Sequence, residues 1–323
     1  MPAGNPYGSH LDSRDIIADF YPRLEATMET IWAPRISLEL SSDREVEELN
    51  WLGQVPTMTR WIGGRNEEFL NKYSLTIRNY EYEATLPISV PDLRRDKTGQ
   101  LRQRVSDLAV RTATHWNKLA GTLITDGEAG TSGLAYDGEF FYDTDHGESG
   151  TSQSNDLTNS EIPAADVATA STLTTTEAAN VVTQTLAYMM SLTDDKGEPS
   201  NGQGTSVLIL CTKVGHYNGL RTALGLNNLG TGSGNNNPIL AWQNDFQISV
   251  QFVPQRITAA DKLYFFFGDP SMGATPLIRT SEVGVTTGII DERIRNNREL
   301  FCVNATRGIG YGMWAKSALV TLS

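Results

Sequence analysis

Residues 61–101 read WIGGRNEEFLNKYSLTIRNYEYEATLPISVPDLRRDKTGQL, and the apolar spacing inside this stretch decides the fold. Tyr73, Leu75 and Ile77 alternate as a strand with one buried face. The pattern then restarts one residue out of phase as Tyr80, Tyr82, Ala84, Leu86, Ile88 and Val90. Successive strand side chains point to opposite faces, so a slip near Asn79 demands a bulge or twist that exchanges the buried face. One strand is therefore expected to serve two sheets. On the N-terminal side, residues 51–80 read as two extended runs joined around Gly63-Gly64, a pair that permits a turn, which predicts a long projecting hairpin.

After the break at VPDLRRDKTG, the residues Leu101, Val105, Leu108, Thr112, Trp116, Leu119 and Leu123 step by three or four. They make one stripe on a helix, which Arg102, Arg104, Arg111 and Lys118 avoid. Residues 126–172 are poor in large aliphatics and rich in Gly, Ser, Thr and Asp, the composition of a long surface excursion. Thr174 and Glu177 are spaced as a capping box ahead of a second amphipathic helix, AANVVTQTLAYMM. SVLILCT is a buried-strand run, followed by a short helical segment through Leu224 and a loop, GLNNLGTGSGNNNP. Strands are expected at FQISVQFV, KLYFFF, residues 283–290, ELFCVNA and GYGMWAKSALVTL. The class is α+β.

The first fifty residues read as an arm. Ile16, Ile17, Phe20, Leu24, Met28 and Ile31 recur at helical spacing, with Pro22 expected to mark a helix start. The acidic stretch SSDREVEELNWL also reads as helical. Neither piece carries enough apolar surface for a core of its own, so both are expected to lie on something else.

The chain of 323 residues carries 26 basic and 38 acidic side chains, a net charge of −12, which argues against general attachment to nucleic acid through phosphates. The charge is blocked: −6 over residues 1–55, +4 over 56–125, −13 over 126–205 and +3 over 206–323. Complementary blocks suit contacts between copies, because opposite patches steer and register association. Cys211 and Cys302 sit in apolar runs and are expected to be buried thiols in a reducing compartment. Neither a signal peptide nor a membrane span is expected.

One loop invites a chemical reading: DGEFFYDTDHGESGTSQSND, residues 137–156. Asp143, Asp145, His146 and Glu148 supply oxygen and nitrogen donors, the basis of an alternative reading as a metal-dependent hydrolase. D-T-D begins like a calcium loop, but position five is Gly147 and position twelve is Ser154, where such a loop needs an oxygen ligand and a bidentate glutamate. Zinc would want further His or Cys nearby. A Gly/Ser-rich loop offers little of the burial that separates the pKa values of a catalytic carboxylate pair. No G-x-S-x-G elbow is present, and the GTGSG of residues 230–234 lacks the following Gly-Lys-Ser/Thr of a phosphate cradle. No enzyme activity, cofactor or metal is therefore expected. Phe140 and Phe141 read instead as an anchor that tucks the loop onto a sheet or a neighbouring subunit.

The stretch from Trp61 to Leu101, the long helix after it and the YDGEFFYDTDH loop resemble, in this order, the major head subunit of Mu-like bacteriophages and prophages. The segment RGIGYGMWAKSALV resembles the closing part of such capsid proteins. The resemblance implies the Hong Kong 97 phage capsid fold. It maps an N-terminal arm to residues 1–50, an extended loop to 51–80, a peripheral domain to 81–125 with its spine helix, an axial domain to 126–284, and a returning peripheral segment to 285–323. It also implies a homo-oligomer of pentamers and hexamers in an icosahedral shell that encloses double-stranded DNA without reading it. Scaffold, portal and decoration proteins would be its partners, with no membrane, and the virion its location after assembly in the host cytoplasm. A cellular nanocompartment shell is the alternative on the same fold. In such a shell Trp51, Trp61, Phe69 and Tyr73 become interface anchors, together with Phe140 and Phe141. Arg60, Arg65, Arg78, Arg94 and Arg95 would pair with Glu45, Glu47 and Glu48 or the axial acidic block of a neighbour. Exposed pairs are worth about 0–1 kcal/mol each, so they set register rather than strength.

Overall fold

The computed structural model describes residues 13–52, 72–95, 99–147, 152–194, 197–201, 206–229, 236–254, 257, 261–268 and 275–323. The turn at Gly63-Gly64 lies outside them. Its flanks do not: β2 (Val46–Leu52) and β3 (Lys72–Arg78) pair antiparallel, from Val46 opposite Arg78 to Leu52 opposite Lys72. The acidic stretch expected to be helical is thus half of a β-ribbon. Leu49 faces Leu75 across the pair and packs on the small cluster of Leu75, Ile77 and Ile278, while Glu45 and Glu48 stay in water. That one-sided burial selects the strand period over helix propensity.

β4 (Tyr80–Ser89) follows β3 after a single residue, and its partner is β11 (Arg298–Tyr311), not β2. Among the described residues the first five-stranded sheet runs β1 (Ser37–Ser41), β9 (Leu277–Ser281), β11 and β10 (Thr286–Glu292), with β4 also on β11. β11 is long enough to divide its partners. Arg298–Arg307 pair with β4, and Gly308–Tyr311 pair with β9.

The phase slip falls where expected, and Asn79 pins it. Its side chain is buried; Nδ2 donates to Ser42 Oγ and to the Arg44 carbonyl, each at 2.7 Å, and Oδ1 accepts from Thr280 Oγ1 at 2.6 Å. Gly308 completes the junction. A Cβ there would sit 2.6 Å from Asn79 Oδ1 and 2.9 Å from the Arg78 carbonyl.

The spine helix is α3 (Gln100–Thr125), preceded by the short α2 (Val90–Arg95). Its buried stripe contains Leu101, Val105, Trp116 and Leu123, filled out by Ala109, Ala113 and Ala120, small residues that admit close neighbours. The closest is α1 (Ser13–Met28). Phe20 and Leu24 are buried with Leu101, Val105, Ile88 and Phe301, the Phe20 and Phe301 rings meeting edge to face at 5.6 Å. The arm, expected to lie on something else, lies over these residues on the spine helix of its own chain: too few apolar groups for an independent core suffice to complete a shared one. Pro22 lies inside α1, not at its start. Proline leaves the carbonyl four residues back without its amide donor, but that residue, Ala18, is exposed to water, and the flanking Phe20 and Leu24 hold the helix by packing.

The second five-stranded sheet runs β5 (Asp156–Leu157), β12 (Ser317–Thr321), β8 (Lys262–Phe267), β6 (Ser206–Cys211) and β7 (Gln247–Phe252). Packed with it are α4 (Thr175–Ser191), α5 (Val214–Gly225) and α6 (Ile239–Asp245). Here the expected division of the chain needs correction. β12 was assigned to the returning peripheral segment, yet it is hydrogen-bonded between β5 and β8; β9 was assigned to the axial part, yet it joins the first sheet. The ten-residue interval Gly308–Ser317 carries the chain across, and its Tyr311, Met313, Trp314 and Ala315 are core residues between the two layers. A short helix, α7 (Arg293–Asn296), links β10 to β11.

Cys211 is buried, and burial pushes its thiol up to about 12. Cys302, expected to be buried as well, is only half-buried, because its position on β11 alternates with the inward Phe301 and Val303.

The capping box forms as the spacing predicts: Thr174 Oγ1 accepts from the Glu177 amide at 3.3 Å, and Glu177 Oε2 accepts from the Thr174 amide at 2.9 Å. Glu177 also accepts from the Ala168 amide, and this bond, followed by those from Thr174, lowers its carboxyl below the ordinary 4.5. A depressed carboxylate stabilises the fold above its unfolded value and loses that contribution as pH falls through the folded one. Glu177→Gln is expected to flatten the dependence of unfolding free energy on pH below 4.5, measured by urea titrations in acid buffers. An unchanged slope would refute this role for Glu177.

Candidate assembly surface and the aspartate–histidine loop

The loop of residues 137–156 is not a loose excursion. Phe141 and Tyr142 are buried, Phe141 stacked on Tyr311 at 4.5 Å, so the anchor reading holds for Phe141 within its own chain. Phe140 points the other way and is 40% exposed.

His146 is fully buried. Nδ1 lies 2.6 Å from Asp137 Oδ2, Nε2 lies 3.2 Å from Asn155 Oδ1, and the ring stacks on Trp314 with centroids 4.0 Å apart. Asn155 is itself held, Nδ2 donating to the Phe141 carbonyl at 2.7 Å and to the Trp314 carbonyl at 3.3 Å. Both ring nitrogens of His146 face oxygens and both ring faces are enclosed or stacked, so nothing of it is turned toward a metal or a substrate. Asp143 Oδ1 accepts from the amides of Thr144 and Asp145, closing a local turn, and Asp145 is exposed. Glu148 lies outside the described residues. Among the described residues no group of three or more His, Cys, Asp and Glu is arranged to hold a metal. Of the set Asp143, Asp145, His146 and Glu148 that the alternative hydrolase reading uses, His146 is held instead in a clasp whose partners are Asp137, Asn155 and Trp314.

The candidate contact residues divide similarly. Arg78 and Glu45, expected to reach for neighbouring copies, pair with each other at 2.6 Å across the ribbon. Glu47 accepts from Ser42 Oγ at 2.7 Å, and Glu48 is exposed. Trp51 and Tyr73 stand opposite each other at the far end of the paired region. Arg94 and Arg95 lie at the end of α2. Arg60, Trp61, Arg65 and Phe69 lie outside the described residues.

Sequence reading missed one charged cluster. Arg279 and Arg307 are each 3% exposed, with their guanidinium carbons 4.9 and 4.8 Å from the centre of the Trp116 ring. Arg279 donates to Ser37 Oγ and Glu39; Arg307 donates to the Thr112 carbonyl at 2.9 Å and lies 3.1 Å from His115 Nδ1. Burial, then the charge of Arg279, lowers Arg307 to about 10. Arginine on an aromatic face is stabilised by the ring quadrupole, and the two together tie β9 and β11 to α3. Their signal in sequence was weak: each sits in a strand where only the three-dimensional pairing brings it to Trp116.

Similarity to a known family falls on the part of the chain that carries most of α1, the ribbon and the spine helix. Residues 18–174 match the family described as Mu-like prophage major head subunit gpT. Over those residues, just under half of its length, the chain is similar to the Mu-like major head subunit family. The chain is 30% identical over 96 residues to the Mu-like prophage FluMu major head subunit of Haemophilus influenzae, covering 30% of each protein. It is 27% identical over 112 residues to the major capsid protein of Escherichia phage Mu, covering 35% of this chain and 36% of that protein. The matched stretches thus span about a third of these relatives' own length. Among solved structures, the capsid of Ralstonia phage GP4 superposes with a TM-score of 0.57 at 11% identity, over 89% of this chain and 87% of that one. The chain therefore has the α+β fold of phage capsid proteins, that of the Hong Kong 97 type. Among the described residues no helix is long and apolar enough to cross a membrane.

Proposed function

We propose that this chain is the major capsid protein of a tailed phage or prophage, a structural protein that assembles into pentamers and hexamers of an icosahedral shell around double-stranded DNA. The observation that carries the reading is the family match across residues 18–174, which takes in most of the arm, the ribbon, the spine helix and the Asp137–Asn155 side of the clasp. The geometry supports it. The β2–β3 ribbon pairs with no third strand among the described residues, and isolated two-stranded ribbons are marginal in water, so its outer part gains most by lying on another copy. α1 to β4, α3 and β9 to β11 form the peripheral layer, and β5 to β8 with β12 and α4 to α6 the axial one. Trp51, Trp61, Phe69 and Tyr73 serve as anchors, Arg60, Arg65, Arg94 and Arg95 set register, and flexible fit between five- and six-membered rings comes from the axial loops. A net charge of −12 suits a wall that holds DNA without adhering to it. Scaffold, portal and decoration proteins complete the particle, built in the host cytoplasm and found in the virion.

Electron microscopy of the purified chain across concentration and salt tests this reading. Closed shells or rings are expected. A chain that stays monomeric throughout would sink it.

A further inference from the structure

Two features of the surface are unabsorbed by the fold. One is a knob at the C-terminal end of α3. The turn that closes with the Ala135 amide donating to the Glu139 carbonyl at 2.9 Å leaves Leu134 46% and Phe140 40% exposed. The two side chains converge over Gly130: a Cβ built there would lie 2.6 Å from the Phe140 ring and 3.3 Å from Leu134 Cδ2. Phe141, next in sequence, is locked in the core, so the knob is held out rather than free to fold back. Its rim is acidic, with Glu139 exposed and Asp137 committed to His146.

The other is an open cleft of about 260 Å³ midway along α3, between the helix and strands β4 and β11. Ala84, Leu108 and Val303 contribute apolar walls; Arg111 and Arg307 supply the cationic groups, His115 turns Nδ1 toward Arg307, and the exposed Glu83 of β4 also lines the cleft. Arg104, Arg111 and Lys118 recur every seven residues on the exposed face of α3, and none of them forms an ion pair among the described residues. Arg111 of this strip lines the cleft.

The knob of one chain cannot reach its own cleft. Arg111 and Asp126 are fifteen residues apart on a helix rising 1.5 Å per residue, about 22 Å. An apolar knob beside the exposed Glu139 and an apolar cleft bordered along α3 by the basic strip match in polarity and, along that border, in charge, and every copy carries both. Resting on the shell reading above, we infer that the Leu134–Phe140 knob of one copy docks in the α3–β4–β11 cleft of the next, with Glu139 meeting Arg111. Such a contact is heterologous, head to tail, so it propagates until a ring or lattice closes.

The test places cysteines at Arg111 and Glu139, both exposed, with Cys302→Ser to remove the half-buried thiol, and treats assembled particles with a short bismaleimide. A ladder of covalent multimers linked 111 to 139, absent in either single-cysteine chain, is the expected result. Particles that form normally but yield only monomers overturn the docking and leave the shell reading standing. If the unsubstituted chain forms no particles, both fall. Should the double-cysteine chain fail to assemble, Arg111→Glu and Glu139→Arg give the same answer: each alone lowers particle yield and the two together restore it, whereas no restoration overturns the contact.

Discussion

His146→Ala is expected to lower the unfolding free energy by about 3–5 kcal/mol, because it leaves a buried carboxylate without its partner. Asp137 is only 8% exposed at its side chain, and the variant also loses the ring that stacks on Trp314 at 4.0 Å. Asn155 loses one acceptor contact and keeps its bonds to two carbonyls, so the damage centres on Asp137 and on the stacking gap. Urea unfolding followed by tryptophan fluorescence reports it, since Trp314 is part of the clasp. Asp145→Ala, at an exposed position of the same loop, is the control and is expected to change stability by no more than about 0.5 kcal/mol. Equal effects at the two positions, or a response of either to added divalent metal, would return the loop to the metal-site reading.

Gly308→Ala is expected to destabilise by about 2–3 kcal/mol through overpacking at the ribbon junction. The added methyl would press on Asn79 Oδ1 at 2.6 Å and the Arg78 carbonyl at 2.9 Å, and the latter is backbone that cannot swing aside. Relief requires β11 to part from β9 or Asn79 to release Thr280. Gly288 on β10 belongs to the same sheet, but a Cβ there meets nothing within 4 Å. Gly288→Ala is therefore expected to be neutral or slightly stabilising, through reduced freedom of the unfolded chain. Comparable losses in both variants, measured by denaturant midpoint, would show that glycine entropy and not crowding governs these sites.

Local signals in this sequence were dependable where one face of an element is buried by many residues. The alternation of Tyr73, Leu75 and Ile77 and its restart at Tyr80 located a junction that Asn79 does occupy, and the three-four spacing from Leu101 to Leu123 is α3 almost residue for residue. The Thr174–Glu177 pair likewise needed only neighbours. Residues 46–52 were misread because Glu48 lies on the solvent side of a ribbon while Glu47, on the face of Leu49, is held by Ser42, and neither arrangement distinguishes an acidic strand from an acidic helix in sequence. The sheet membership of β9 and β12 was not legible, since Leu319 finds Asp156 and Tyr264 only through the tertiary fold. His146 attracted attention for its acidic neighbours in sequence, yet of the partners that define its role only Asp137 belongs to that acidic group, while Asn155 and Trp314 are uncharged. Long-range stacking and buried hydrogen bonds leave no periodic trace.

The Asn79 junction bears on how such a molecule would tile a curved surface. Four hydrogen bonds converge on that residue, three from its side chain and one from its amide to the Glu45 carbonyl. Ribbon and spine layer are thereby welded at a fixed angle, like the blade and handle of one tool. In a shell, any difference in tilt between a five-fold and a six-fold position must then be absorbed at the seams between molecules or beyond the paired region of the ribbon, and not at its root.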